Sequence, residues 1–330
     1  MTAKTLKHKK LIITLAIILI FIITFITAFF IILKIGEHKL KNSLVADEKI
    51  NLSDDFDYSA DVYHNGKAYN YNDNLVNILL VGVDKYTFLR DSQGQADALY
   101  LISLDTKKNN VNIFSISRNS ITDVDIFDAD GKYYASEKKQ ICLSYSYGKT
   151  DEQSSENCVK SVSRMFYGIP INSYYTLYFD AIADIVDSVG GVSVTLNEDL
   201  PKAFPDNKKG DKLLLKGADA IKYLRARGDS NAPRLERQKA FISEFINSAK
   251  KAALKDLSLP VDMFNKLKNE SVTNIDATSV AYLASKAVSS DFNILSVDGK
   301  SGFDGTYETF EVDEDKLYEQ VLKSFYKEKK

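Results

Sequence analysis

Residues 11–33 form a run of 23 amino acids that contains no charged side chain. As an α-helix with a rise of about 1.5 Å per residue, this run would extend about 34 Å, which is enough to cross the hydrocarbon core of a bilayer with some tilt. The run is longer than the apolar region of a typical secretory signal, and no Ala-x-Ala-like cleavage site follows it. The sequence therefore predicts one N-terminal transmembrane helix that acts as an uncleaved signal-anchor.

Lysines flank this predicted span on both sides. Four lie within residues 1–10, whereas three lie within residues 34–41 together with Glu37. The positive-inside rule therefore favours a cytoplasmic N-terminus and an extracellular body. We predict a single-pass protein of the cell membrane, made of a cytoplasmic N-terminus (1–10), the transmembrane helix (11–33), an extracellular stalk or linker with little fixed structure (34–75) and an extracellular folded domain (76–330).

The composition is that of a globular protein apart from the apolar run. Hydrophobic residues make up 45% and charged residues 27% of the chain, and the net charge is −2. This balance excludes long disordered regions and gives no sign of a protein that coats a polyanion, so no nucleic-acid partner is expected.

Strand-like and helix-like segments alternate beyond residue 76 without a strict βαβ repeat. The predicted strands cover residues 76–83, 98–105, 111–117, 174–179, 192–196 and 292–297. The predicted helices cover residues 152–166, 181–189, 217–224, 232–251, 276–287 and 313–326. This order predicts an α/β fold of mixed (α+β) connectivity, with a central mixed β-sheet covered by helices on both faces.

The inventory of metal-binding and nucleophilic side chains is small. The three histidines all lie before the predicted folded domain, which excludes a His-based catalytic triad or a His-ligated zinc site within it. Cys142 and Cys158 are the only cysteines. They could form one disulfide outside a membrane or remain free thiols, and their spacing does not decide between the two.

Charged side chains lie at the ends of three predicted strands. Asp84 follows the first strand, Asp97 precedes the second, and Arg118 ends the third. If these strands are neighbours in one sheet, the three residues lie close together. Two carboxylates beside arginines suit a Mg²⁺–phosphate site, because Mg²⁺ prefers oxygen ligands and guanidinium groups bind phosphate oxygens. The alternative is that either aspartate is an ordinary turn or cap residue.

Arginines are concentrated in one short segment. The chain has seven arginines and 36 lysines, yet Arg225, Arg227, Arg234 and Arg237 fall within thirteen residues. A guanidinium group is planar, always charged and able to donate two parallel hydrogen bonds, which suits phosphate better than an ammonium group does. The segment therefore indicates an oxyanion site, and the alternative is a solvated or ion-paired helix face.

Spacing within this segment separates its members. Arg225 and Arg227 are two residues apart and would share one face of extended backbone. Arg234 and Gln238 are four residues apart and would share one face of a helix. Arg237 is expected to point elsewhere, as a surface residue that pairs with a neighbour or with solvent.

Six blocks of sequence, in order along residues 76–252, carry a resemblance to a known family. They cover residues 77–84 (Asn-Ile-Leu-Leu-Val-Gly-Val-Asp), 95–98, 114–119, 143–148, 179–194, and 215–227 with 234–238. On these blocks the chain resembles the LytR–CpsA–Psr family of membrane-anchored cell-wall proteins of mainly Gram-positive bacteria. The last block, with its Arg-x-Arg and Arg-x-x-Arg-Gln motifs, is the most specific match.

The resemblance implies an enzyme that transfers a glycan phosphate from a polyprenyl-pyrophosphate-linked precursor to peptidoglycan, as in the attachment of wall teichoic acids and capsules. Carried over residue by residue, it implies that Asp84 and Asp97 hold Mg²⁺, with Asp97 and Arg118 as catalytic residues. It implies that the pyrophosphate is bound by Arg118, Arg225, Arg227, Arg234 and Gln238. The implied partners are the lipid-linked glycan, the peptidoglycan acceptor and the membrane lipid.

Position 119 departs from the family pattern. Asn119 stands where the family usually has Asp after the arginine, so one negative charge is missing. This leaves a second hypothesis, a catalytically weakened or inactive member that binds polyprenyl-pyrophosphate lipids or wall polymer as a binding or regulatory protein. A third hypothesis is a scaffold domain whose arginines are only ion-paired.

Overall fold

The computed structural model describes residues 23–24, 26–46, 60–84, 94–226 and 231–329, without the side chains of residues 231–235. Residues 26–42 form the first described helix, α1. Most of the predicted membrane span, residues 11–22 and residue 25, lies outside the described residues. Within the part of the chain that is described, none of the helices combines the length and the apolar character that a bilayer crossing requires.

The secondary structure alternates strands and helices along the chain. The strands are β1 (Val62–His64), β2 (Lys67–Tyr71), β3 (Leu75–Val83), β4 (Ala96–Asp105), β5 (Asn110–Ile116), β6 (Ile121–Phe127), β7 (Tyr133–Gln140), β8 (Ser173–Tyr178), β9 (Val192–Thr195), β10 (Lys212–Leu215), β11 (Ser271–Thr273), β12 (Asp291–Ser296), β13 (Gly299–Phe303), β14 (Glu308–Val312) and β15 (Tyr326–Glu328). The helices after α1 are α2 (Leu143–Ser146), α3 (Asp151–Met165), α4 (Ala181–Ser188), α5 (Gly217–Arg225), α6 (Asn231–Lys255), α7 (Leu259–Lys266), α8 (Ala277–Ala287) and α9 (Glu314–Phe325).

A six-stranded sheet forms the centre of the fold, in the order β11-β8-β3-β4-β5-β12. The β3–β8 and β5–β12 pairs are parallel, and the other three pairs are antiparallel. β3 and β4 are mostly apolar because they lie in the middle of the sheet, where both faces are covered. The predicted central mixed sheet is confirmed.

Helices cover both faces of this sheet. On one face, α3 and α9 pack against β3, β4 and β5, and Phe325 of α9 stacks on Phe114 of β5 with ring centroids 5.3 Å apart. On the other face, Ile242 and Ile246 of α6 and Leu283 of α8 pack against β4 and β5. The prediction of helices on both faces is therefore also confirmed.

A second, smaller hydrophobic cluster lies beside the sheet. It is formed by α4, the β9–β10 hairpin and α5, with Phe241 contributed by α6. Tyr223 of α5 is fully buried in this cluster. The cluster fixes the position of α5, whose last residue is the first arginine of the arginine-rich segment.

The prediction of little fixed structure in residues 34–75 was wrong for the described part of that range. Helix α1 continues to residue 42 with Leu40 buried, and β1 pairs with β2. β2 in turn pairs with β15, near the other end of the chain. The sequence did not reveal these elements because the strands are short and the partner of β2 is distant in sequence. The extracellular location of this region stays a prediction.

Candidate functional site

Three strand ends meet at one edge of the central sheet. The end of β3 pairs with the start of β4, and the end of β5 pairs with the first half of β4. Asp84 directly follows β3, Asp97 is the second residue of β4, and Arg118 lies two residues after β5. Gly94 has φ +85°, and a Cβ there would lie 3.0 Å from the carbonyl oxygen of Asp84, so glycine permits this close approach. Strand pairing thus brings the three predicted residues to one edge.

Arg118 is bound by two side chains of the β4 segment. Its guanidinium group forms an ion pair with Asp97 and donates a hydrogen bond to Oε1 of Gln95. Its Nε atom is buried and has no hydrogen-bond partner among the described residues. A buried donor without an acceptor is costly, so Arg118 is not fully satisfied by its partners at this edge.

Arg225 reaches the same edge from the C-terminal end of α5. Its Nη2 atom donates to Oδ2 of Asp84 over 2.8 Å, and its guanidinium carbon lies 4.9 Å from the ring centroid of Phe179. The side chain of Arg225 is 44% exposed. The aromatic ring and the carboxylate thus hold a guanidinium group that remains accessible to a ligand.

The prediction that Arg237 is a surface residue was wrong. Its side chain is 0% exposed, and it forms an ion pair with Glu198. Its Nε atom donates to the carbonyl of Tyr223 over 3.1 Å, and its Nη2 atom donates to the carbonyl of Ala226. The physical reason is that α6 packs beside the end of α5, so this side of α6 faces protein, where a buried charge needs such partners.

The other predicted phosphate-binding residues are only partly covered by the structure. Arg227 lies outside the described residues. Arg234 belongs to α6, but its side chain is outside them as well. Gln238 is half-buried on α6, directly after Arg237. The roles predicted for these three residues remain predictions.

A hairpin from the C-terminal region packs on the loop that carries Arg118. The backbone N–H of Phe310 in β14 donates to the carbonyl of Asn119 over 2.9 Å. The Gln140 amide donates to the carbonyl of Glu308 over 2.6 Å, and the Asn119 amide lies 3.5 Å from the Glu308 carboxylate. Asn119, where the family usually has Asp, therefore lies beside a carboxylate from elsewhere in the chain.

Sequence reasoning missed Phe179, Glu198 and Glu308 as neighbours of the site arginines. Phe179 lay inside a block that resembles the family, but nothing in that block indicated a contact with Arg225. Glu198 and Glu308 are far in sequence from Arg237 and Asn119, and a single sequence contains no signal for such pairs.

Both cysteines are free, buried thiols, which decides between the two alternatives left open for them. Burial raises the pKa of Cys158 to about 12, and the hydroxyl of Ser144 donates to its Sγ atom over 3.1 Å. Burial also raises the pKa of Cys142, although the neighbouring Arg118 acts in the opposite direction. The thiols are therefore protonated core residues.

The carboxylates at the sheet edge fit a metal ion only in combination with a substrate. Within the described ranges, no group of three or more His, Cys, Asp or Glu side chains is arranged to hold a metal ion. Mg²⁺ in phosphate-transfer sites is commonly held by one or two carboxylates and takes its remaining ligands from water and substrate phosphates. Asp84 and Asp97, each ion-paired with an arginine, match that incomplete set of donors.

The chain is similar to known proteins over most of its length. The LytR_cpsA_psr family model matches residues 31–325. TagV of Bacillus subtilis (strain 168), named a polyisoprenyl-teichoic acid–peptidoglycan teichoic acid transferase, is 27% identical over 313 residues, which cover 87% of this chain and 72% of TagV. TagU of Bacillus cereus (strain ATCC 14579), a transferase of the same name, is 34% identical over 156 residues, which cover 46% of this chain and 44% of TagU.

Two solved structures have the same fold. The crystal structure of B. subtilis TagV aligns with a TM-score of 0.61 at 24% identity, over 76% of this chain and 97% of TagV. A structure of TagT bound to LIIa-WTA aligns with a TM-score of 0.58 at 22% identity, over 76% of this chain and 91% of that chain. At these identities the structural similarity establishes the fold alone.

Proposed function

The chain belongs to the LytR_cpsA_psr family, and we propose that it transfers a glycan phosphate from a polyprenyl-pyrophosphate-linked glycopolymer precursor to peptidoglycan. The relatives named above are teichoic acid transferases, which supports a transferase acting on a lipid-linked wall polymer. The identity of the polymer, whether a teichoic acid or a capsule, depends on residues that contact the glycan rather than the phosphates.

One observation supports this proposal more than any other. Two arginines, Arg118 and Arg225, converge on one sheet edge, and each is paired with an aspartate through a bond that an incoming ligand can replace. A pyrophosphate presents several charged oxygens, so it can accept hydrogen bonds from the accessible guanidinium nitrogens of Arg118 and Arg225. Arg227, Arg234 and Gln238 are proposed to bind the same group.

The reaction would be a displacement at phosphorus. The hydroxyl oxygen of a muramic acid in peptidoglycan attacks the phosphorus that carries the glycan and forms a new P–O bond. The P–O bond to the bridging oxygen breaks, the prenyl phosphate leaves with that oxygen, and the hydroxyl proton passes to the leaving phosphate or to water. Asp97 holds Arg118 in place before the ligand binds, and Arg118 and Arg225 then stabilise the negative charge on the phosphate oxygens in the transition state. Asp84 and Asp97 would hold Mg²⁺, which neutralises further phosphate charge when bound.

A membrane anchor suits a substrate with a prenyl tail. The apolar run at residues 11–33 is proposed to hold the protein as a single-pass membrane protein with a cytoplasmic N-terminus. The domain that follows would then lie outside the cell, where both the lipid-linked precursor and peptidoglycan are accessible.

The direct test uses the full-length protein in detergent micelles. The protein is incubated with a polyprenyl-pyrophosphate-linked disaccharide, peptidoglycan fragments and Mg²⁺, and products are identified by mass spectrometry. We expect peptidoglycan that carries the disaccharide phosphate, together with free prenyl phosphate. We also expect this product to be lost with EDTA and in Asp97→Asn.

The second candidate function is a binding protein without turnover. It is favoured by Asn119, which lacks a negative charge and is engaged by the C-terminal hairpin. Binding of the lipid-linked disaccharide without cleavage of the pyrophosphate would establish this function and reject the transferase. Absence of binding would reject both.

A further inference from the structure

Arg237 forms hydrogen bonds with the backbone both before and after Arg225. Its Nε atom donates to the carbonyl of Tyr223 over 3.1 Å, and its Nη2 atom donates to the carbonyl of Ala226. Arg225 lies between these two residues and is the last residue of α5. The guanidinium group of Arg237 therefore holds the chain before and after the residue that forms the ion pair with Asp84.

Besides Arg237, a backbone hydrogen bond of 2.9 Å from the Ala226 N–H to the carbonyl of Lys222 holds the chain at this point. The last carbonyls of a helix lack partners within the helix, and Ala226 has φ −55° and ψ 134°, so the chain leaves α5 in an extended conformation. The carbonyls of Tyr223 and Ala226, on either side of Arg225, are the groups that Arg237 holds as the helix ends. A planar guanidinium group with several fixed donors is suited to hold both carbonyls at once, whereas an ammonium group is not.

The positive charge of Arg237 is paired with the carboxylate of Glu198. Its Nη1 atom donates to Oε1 of Glu198, and the side chain is 0% exposed. The Tyr223 ring lies 5.7 Å from its guanidinium carbon, which closes off another side. Arg237 thus has no access to a ligand, in contrast to Arg225.

We propose that Arg237 is a positioning residue for the phosphate site, which acts through the carbonyls of Tyr223 and Ala226 to aim Arg225 at Asp84 and the bound pyrophosphate. This inference rests on the proposed function, since it takes a pyrophosphate as the ligand of Arg225. A residue with a purely structural role would lower stability and leave ligand affinity unchanged.

The test compares two readouts in the full-length protein in detergent with Mg²⁺. Affinity for inorganic pyrophosphate is measured by calorimetry, and the unfolding temperature is measured separately. For Arg237→Lys we expect affinity to fall by about tenfold, the equivalent of roughly one charge-assisted hydrogen bond. In the Arg237→Lys background, Arg225→Lys should cause a smaller loss than it causes in the wild type, because both changes act on one group. Unchanged affinity, or losses that add, would overturn the proposal.

A matched pair of variants covers the case in which Arg237→Lys does not fold. Glu198→Gln removes the ion pair and keeps both carbonyl contacts, so it should bind pyrophosphate as the wild type does. Glu198→Gln with Arg237→Gln removes both charges together, which avoids a stranded buried carboxylate. We expect the double variant to bind about tenfold more weakly than Glu198→Gln. Equal affinities would overturn the positioning role.

Pyrophosphate binding by the wild type tests the proposed function, and a separate readout at Arg225 tests the positioning role. A wild-type protein that binds no pyrophosphate rejects the proposed function. The positioning role is then judged by the NMR shift of the Arg225 Nε–H group. A shift in the double variant that is absent in Glu198→Gln supports it, and the same spectrum in both overturns it.

Discussion

Arg225 and Arg237 are twelve residues apart, and each forms an ion pair with a carboxylate, yet their surroundings are opposite. Arg225 lies at a helix end with 44% of its side chain exposed, and its partner Asp84 is also accessible. Arg237 is enclosed by α5, α6 and Glu198, with 0% of its side chain exposed. The same residue type therefore provides a replaceable contact in one place and a fixed one in the other.

Burial decides whether an arginine ion pair can open for a ligand or only stabilises the folded protein. An accessible ion pair contributes little to stability, because water and salt screen it, and for the same reason its members can exchange partners. A buried pair cannot lose one member without leaving the other charge desolvated. A ligand can compete for Arg225, whereas only a change of the protein itself can release Arg237.

The largest effect is expected on stability, when the buried ion pair between Arg237 and Glu198 is broken. Arg237→Met leaves the Glu198 carboxylate and two carbonyls without their donor, so the free energy of unfolding should fall by about 3–5 kcal/mol. Arg225→Met should lower it by less than about 1 kcal/mol. Both are measured by denaturant titration of the purified protein. Similar losses for the two variants would contradict the distinction between the pairs.

The next largest effect is expected on activity, when the accessible arginine of the Arg225–Asp84 pair is changed. Arg225→Lys keeps the charge and loses the bidentate geometry, so kcat/KM for the proposed transfer should fall by about 100-fold while the unfolding temperature stays unchanged. Lys222→Gln, an exposed change in the same helix, serves as the control and should alter neither quantity. If the control and Arg225→Lys behave alike, Arg225 has no role in the site.

A third ion pair tests whether burial alone predicts the loss of unfolding free energy when the arginine is removed. Arg164 of α3 binds the Asp125 carboxylate with contacts of 2.6 and 3.2 Å, and the Asp125 side chain is only 4% exposed. Arg164→Leu should lower the free energy of unfolding by about 2 kcal/mol, less than Arg237→Met because Arg164 itself is partly exposed. Pyrophosphate affinity should stay unchanged. A loss of affinity would show that the α3–β6 contact also supports the site.

The smallest effect concerns a buried group that has no cationic partner. Burial raises the pKa of Cys158 to about 12 in the folded protein, whereas an exposed thiol has a pKa of about 8.5. The folded state therefore binds the thiol proton more tightly, and this contribution is complete below about pH 8.5 and is lost as the pH rises towards 12.

Unfolding free energy should accordingly fall by about 1 kcal/mol between pH 8 and pH 9.5 through this one group. The measurement is denaturant titration at both pH values, with Cys158→Ala as the control that removes this part of the pH dependence. Rapid alkylation of the native thiol at pH 8 would show that Cys158 is not enclosed.

Much of the sheet could be predicted from sequence because its central strands are apolar runs, and β4 and β5 are joined by a short turn. β3, β4 and β5 follow each other directly, and their pairing places Asp84, Asp97 and Arg118 together. The β6–β7 hairpin escaped prediction because β7 is Tyr-Tyr-Ala-Ser-Glu-Lys-Lys-Gln, a largely exposed strand with no apolar alternation. Its register comes from backbone pairing with β6, which composition does not reveal.

The candidate site could be predicted only as far as its charged residues. Arg225 and Arg118 were recognisable by residue type and by resemblance, but their distinction from Arg237 was not. Position on a helix shows which residues share a face, and it does not show what lies over that face. The Glu198 carboxylate, 39 residues before Arg237, is what makes the buried position possible.

The pairing of β15 with β2 joins the two ends of the folded region, and Phe325 near the C-terminal end stacks on Phe114 of the central sheet. Contacts that are this distant in sequence close large loops, and they slow folding because the entropy of closure must be overcome before the contacts form. During synthesis, the core around Phe114 stays incomplete until residue 325 has left the ribosome. A chain interrupted at α8 would expose the α9-binding surface of the sheet, and we expect it to be recognised by proteases and chaperones.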